Sequence, residues 1–229
     1  MKVLRLKLFQ ETACYKKPYS QKVSETYPLP PFSTVKGMLH AVLDAQSFIP
    51  MKLCIQGEYD TIIRDYQTHY FFKKDKTQEF ALTTDGLGIS RELVDITTMP
   101  IYRHLLYGVH LTIFVQAEES VLEQLQEKIC SSFHLSLGRW EDLVRVDEGQ
   151  LIELEEVEDA DLTLNAFVPT QFVSDESYIP YRLNWTYRII DGVRVWDKIE
   201  AGYMQKGKAL EADEGLWIDD EETAVFFHE

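Results

Sequence analysis

Residues 2–9 alternate strictly. Leu4, Leu6 and Leu8 fall on one side, and Val3, Arg5, Lys7 and Phe9 on the other. The period of two predicts a strand with a core face and a basic-aromatic face. Residues 10–31 contain Pro18, Pro28, Pro30 and Pro31 and read as loop. Val35, Met38, Leu39, Val42 and Leu43 then recur at helical spacing. They predict a helix capped by Ser33 or Thr34 and running to about residue 45, with Lys36, His40 and Asp44 on its opposite face. Residues 53–66 predict a strand and residues 104–116 a stronger one. A second helix follows from 118 to about 131, with Val121, Leu122, Leu125 and Ile129 on one side, and then a strand over 143–154. Residues 67–102 lack clear periodicity and are too many for a plain connection. They read as a functional insertion, a projecting hairpin or thumb, bearing Lys73, Lys74 and Lys76.

The order β-α-β-insert-β-α-β over residues 1–154 predicts an α+β, ferredoxin-like (RRM-like) βαββαβ domain with the thumb between its second and third strands. The open face of such a sheet commonly binds single-stranded RNA. Arg5 and Lys7 point to it if the leucines face the helices. Residues 155–229 predict a smaller acidic, β-rich C-terminal region, packed on the first domain or a degraded copy of it. Strand-like runs recur at 162–167, 187–190, 193–196 and 216–218, and Asp191-Gly192 is a two-residue type I′ hairpin signal.

Composition narrows the class. The 28 aromatics among 229 residues can build a large core, which excludes disorder of the whole chain. No apolar run approaches the roughly 18 residues of a membrane helix, and the alternating start does not resemble a signal peptide. Three widely spaced cysteines give no disulfide framework, so a reducing cytoplasm is the expected home. The net charge of -15 argues against a nucleic-acid partner, but it is unevenly spread. Residues 1–140 hold 16 basic and 15 acidic side chains; residues 141–229 hold 7 and 23. Residues 1–36 alone hold seven basic and two acidic ones. A basic N-terminal segment and an acidic C-terminal third fit two kinds of partner, although a solvated acidic surface explains the latter equally well.

No His or Cys spacing matches a metal site, and there is no phosphate-binding glycine loop and no nucleophile elbow. No cofactor is expected. Two segments remain. At Gly138-Arg139-Trp140-Glu141-Asp142, the glycine lets backbone approach a phosphate, Arg139 can clamp it, and Trp140 offers a stacking plane. The alternative is a buried tryptophan and an Arg–Asp pair that holds the loop. At Pro30-Pro31-Phe32-Ser33-Thr34-Val35-Lys36-Gly37, the helix start presents free N–H groups with Lys36 beside them, and Lys16, Lys17 and Lys22 add charge nearby. The alternative is an amphipathic helix that needs Gly37 for packing on the sheet.

Pro-Pro-Phe-Ser-Thr-Val-Lys-Gly-Met-Leu and Leu-Gly-Arg-Trp-Glu-Asp-Leu-Val resemble the CRISPR-associated protein family five, the small RAMP-superfamily subunit of type I Cascade complexes. Phe9-Gln10-Glu11-Thr12-Ala13 and the length look most like its type I-B branch. The resemblance implies a non-catalytic subunit that caps the 5′ handle of crRNA and contacts the backbone and large subunits, with no membrane partner. It implies RNA contacts at Arg5, Lys7, Lys16, Lys17, Lys22, Ser33, Thr34, Lys36, Gly37, Gly138, Arg139 and Trp140, and thumb contacts at the three insert lysines. Two alternatives stay open. One is a metal-independent endoribonuclease like the type I-C branch, whose tyrosine falls near Leu43 here; Tyr102 and His104 would then be the acid–base candidates. The other is a ferredoxin-like interaction protein outside CRISPR systems.

Overall fold

The structure, a computed structural model, describes residues 1–20, 23–72, 82–83, 92–93, 96–131, 134–173 and 178–228. Strand β1 spans Lys2–Ala13, α1 Phe32–Val42, β2 Lys52–Glu58 and β3 Thr61–Phe72. Then come β4 Ile96–Gln116, α2 Glu119–Ser131, β5 Arg145–Glu153 and β6 Asn165–Pro169. The chain closes with β7 Ile179–Ile190, β8 Val193–Met204, β9 Leu216–Ile218 and β10 Ala224–Phe226. The protein is thus mixed α/β and mostly strand.

The main sheet runs β7-β8-β6-β2-β4-β1-β5, with every neighbouring pair antiparallel. Leu4, Leu6 and Leu8 of β1 pack with Leu53, Ile55, Ile113 and Val115 under both helices, as the alternation predicts. Val35, Met38, Leu39 and Val42 bury the expected stripe of α1, and Leu122, Leu125 and Ile129 that of α2. Each fully buried Leu or Val contributes about 1.5–3 kcal/mol.

Four sequence expectations change. First, neither Ser33 nor Thr34 caps α1; Pro31 is the N-cap, because its fixed extended geometry enters the helix directly, and Phe32 is already helical. The Phe32 ring lies against Phe167, Trp185 and His228, which seats the helix start in the core.

Second, the aperiodic segment is partly regular. β3 and β4 pair from Thr61–Tyr107 out to Phe72–Ile96 as a two-stranded ribbon. Near its base Ile62, Ile63, Tyr66 and Tyr102 are exposed, while Ile101, Arg103 and Leu105 of β4 are buried. The buried side is short and includes an arginine, and the partner strand β3 exposes Ile62, Ile63 and Tyr66, so the apolar residues do not follow one period-two face. Lys73, Lys74 and Lys76 lie outside the described residues.

Third, β6, β7 and β8 extend the main sheet, and the β7–β8 hairpin covers the side of α1 that pattern alone assigns to solvent. Its turn residues Asp191 and Gly192 both have positive φ, 50° and 75°, the type I′ geometry that their sequence predicts.

Fourth, the second face of the sheet is not open. Residues around β9 and β10 lie across it, with Val3, Cys54, Phe114 and Ile152 packed against Leu216, Val225, Phe226 and Phe227. The closed face explains why apolar residues recur in an otherwise acidic C-terminal third. Among the described residues, no helix is long and apolar enough to cross a membrane.

Candidate nucleic-acid interface

The closed face removes one expected RNA contact. Arg5 is 2% exposed. Its Nη1 donates to Asp219 Oδ2 at 2.8 Å and Asp220 Oδ1 at 2.5 Å, and its Nε donates to Glu148 Oε1 at 2.7 Å. Lys7 donates to Glu221 at 2.5 Å and lies 3.3 Å from Glu148. The acidic 219–221 segment therefore neutralises the basic side of β1. Sequence alternation found the right face of the strand but could not show that a distant acidic segment covers it.

The Gly138–Asp142 loop is also held from within. Asp142 is 0% exposed and accepts from the backbone N–H groups of Cys14 at 3.0 Å and Arg139 at 2.8 Å. Arg139 grips the same carboxylate through Nε and Nη2, the latter at 2.6 Å, and its Nη1 lies 2.8 Å from Glu141. Gly138 has φ 111°, and a Cβ there would meet Asp142 Oδ2 at 2.8 Å. The glycine and the arginine thus serve Asp142, the Arg–Asp pair that holds the loop. Trp140 is 86% exposed, so the buried-tryptophan alternative is excluded. Its indole remains a solvent-facing stacking plane on a rigid loop.

The start of α1 gathers the other expected residues. A cavity of about 360 Å³ is lined on one side by Ser33, Lys36, Gly37 and His40. The loop after α1, with Gln46, Ser47 and Phe48, and the β7–β8 hairpin, with Trp185, Thr186, Tyr187 and Trp196, complete the lining. A smaller cavity of about 180 Å³ shares Ser33 and adds Thr34, Lys16, Tyr27 and Asn184. Lys17 pairs with Glu25 at 3.3 Å, and Lys22 lies outside the described residues.

Lys36 is the unusual group. It is 5% exposed, and its Nζ lies 3.1 Å from the centroid of Trp185 and 5.8 Å from that of Phe48. No carboxylate pairs with it among the described residues. Burial lowers its pKa to about 8. Gly37 does not serve packing, contrary to the alternative weighed from sequence: a Cβ there would meet nothing within 4 Å. His40 donates from Nδ1 to Lys36 O at 2.7 Å and accepts from Ile49 N–H at Nε2 at 2.9 Å. It thereby ties the 45–49 loop to the helix, with Phe48 stacked on the imidazole.

Sequence reasoning missed Phe48, Trp185, Tyr187 and Trp196. A signal was present for two of them. A two-residue turn at Asp191-Gly192 sets the register that pairs Tyr187 with Trp196 on one face, and Arg194 stacks on the same tyrosine. Trp185 sits where the register shifts between Asn184 and Thr186, which period two cannot foresee.

Another concavity, of about 810 Å³, is lined by Glu158, Asp159, Asp161, Glu211, Asp213 and Glu214 among others, with no basic side chain. It repels phosphate. No group of metal-ligating side chains occurs among the described residues. Tyr102 and His104 lie on the β3–β4 ribbon, opposite Tyr66 and Arg64.

A family model described as CRISPR-associated protein (Cas_Cas5) matches residues 3–206. No curated protein matches the chain. Among solved structures, a chain of a "CRISPR RNA-guided surveillance complex" is 14% identical with a TM-score of 0.54, covering 96% of this chain and 92% of that one. This is a likeness of fold. A "CRISPR protein from Archaeoglobus fulgidus" is 10% identical over 100% of both chains with a TM-score of 0.45. A chain of a "Type III-B Cmr-beta bound to cognate target RNA and AMPPnP" is 12% identical over 92% and 86%, with a TM-score of 0.43.

Proposed function

The chain belongs to the CRISPR-associated Cas5 family, and from that membership we propose that it is a non-catalytic subunit of a type I Cascade effector complex. In this reading it binds and caps the 5′ handle of crRNA in cytoplasmic antiviral defence, and the type I-B branch is the one its N-terminal residues fit. The observation that carries the RNA contact is the convergence of Lys16, Ser33, Thr34, Lys36 and Gly37 at one helix start beside Trp185, Tyr187 and Trp196. Charge that tracks a backbone, together with aromatic planes that stack on bases, is what an unpaired strand requires. A ferredoxin-like core is supported by the order β2-β4-β1-β5 and by the helices that follow β1 and β4. The β3–β4 ribbon serves as the thumb. Its exposed Ile62, Tyr66 and Tyr102 suit a protein contact with the adjacent backbone subunit, and the large subunit is the other protein partner.

Salt titration of handle RNA binding tests the reading. Replacing Lys16 and Lys17 by Ala should weaken binding alike for all sequences and flatten the log K–log salt slope by up to about 0.7 per lost contact. An unchanged slope and affinity would remove this surface. Incubation with repeat RNA in EDTA should leave the RNA intact. Specific cleavage lost in His104→Ala would promote the endoribonuclease reading instead.

A further inference from the structure

The cavity at α1 has more chemistry than backbone capping uses. Its walls include Phe48, Trp185, Tyr187 and Trp196 beside Gln46, Ser47 and Thr186, and the buried cation, Lys36, has no carboxylate partner among the described residues. A phosphodiester would find a single ammonium there and rings in place of water. A flat ring with acceptors on its edge finds stacking planes and a donor-only group. About 360 Å³ is within the roughly 300–1,000 Å³ range of small-ligand sites. Gly37 keeps the helix side of the cavity clear, because no side chain projects there and none of its neighbours would fill the space. His40 holds the Phe48 loop in place through bonds at both ring nitrogens. The smaller cavity bearing Lys16 shares Ser33, so a strand passing Lys16 comes directly to the mouth of the larger one.

We propose that this cavity receives one unstacked nucleobase of the bound strand, packed against Tyr187 and Trp196, with Lys36 Nζ, seated on the Trp185 ring, donating to a carbonyl acceptor on its edge. The proposal deepens the RNA-binding reading and rests on it. Guanine, uracil and cytosine carry carbonyl acceptors, whereas adenine offers a donor-only lysine just ring nitrogens beside its amino donor. Guanine and uracil, whose carbonyls lie on the edge without a competing amino group at that position, are favoured over adenine.

The test has two arms on the full chain. The first scans a handle RNA with single abasic substitutions. One position should lose about tenfold or more in affinity, and Trp196→Ala should abolish the sensitivity at that position alone. Lys36→Met, which keeps the packing and removes the donor, should erase the preference for guanine or uracil there. The second arm titrates UMP, GMP and AMP against tryptophan fluorescence. Saturable quenching by UMP or GMP is expected in the parent and should be lost in Trp196→Ala. A flat abasic scan without saturable quenching overturns the base pocket even where RNA binds. Failure of RNA binding with saturable mononucleotide quenching retains the pocket and removes the crRNA reading. Absence of both removes both.

Discussion

Arg5 and Lys36 are both buried cations from the basic N-terminal segment, and the fold treats them in opposite ways. Burial works against the charge of each. At Arg5, hydrogen bonds to Asp219, Glu148 and Asp220 outweigh that cost and hold its pKa above the ordinary value. At Lys36 no carboxylate among the described residues offsets it, only the face of the Trp185 ring, and burial lowers the pKa to about 8. A cation wrapped in carboxylates is structural. A cation left on aromatic rings at the wall of a cavity lacks that compensation, and a group so placed is a functional-site candidate.

The largest effect should come from breaking the paired cation. Arg5→Met leaves Asp219 buried without its partner and should cost about 3–5 kcal/mol in urea denaturation, with RNA affinity of the folded fraction unchanged. Arg139→Ala should behave alike, because Asp142 is equally buried. Variants that keep full stability and lose RNA would restore both residues to the interface.

The unpaired cation should behave in reverse. Between about pH 8 and 10.5 the unfolded chain holds a proton on Lys36 that the folded chain has released, so stability rises with pH through that window. Below pH 8 the penalty is fully present. Lys36→Met should therefore gain about 1–3 kcal/mol at pH 7 and lose that part of the rise in thermal melts. A Met variant less stable than its parent would mean that the ammonium is not a burden.

The smallest effect is at Gly37. With open space around the missing Cβ, Gly37→Ala should gain about 0.5–1 kcal/mol of helix stability. Its methyl group enters the cavity, so nucleotide quenching should weaken. Undiminished quenching would place the bound ring away from the helix.

Much was readable in advance because it is local. The leucines of β1, the stripe of α1 and the Asp191-Gly192 turn are set by periods of two and 3.6 and by backbone chirality. Ser33, Thr34, Lys36 and Gly37 stand together at the start of α1 for the same reason, since they are neighbours in sequence. The Gly138–Asp142 loop was found too, but its role was ambiguous, because Arg139 can clamp a phosphate or the aspartate three residues on.

Sequence by itself determined the strands, the helices and their buried faces, and the accumulation of basic residues near the N-terminus. Tertiary structure alone decided which of those cations stay available. Asp219 lies 214 positions from Arg5, and Trp185 lies 149 positions from Lys36. Periodicity reports which side of an element is apolar, but not which distant segment will cover the other side. That depends on how the sheet is ordered, and here β7 and β8 come to lie over α1 while the 219–221 segment settles on β1. The first contact surrounds a lysine with rings and the second surrounds an arginine with carboxylates, and that difference in partner, not in residue type, separates the proposed binding site from the scaffold.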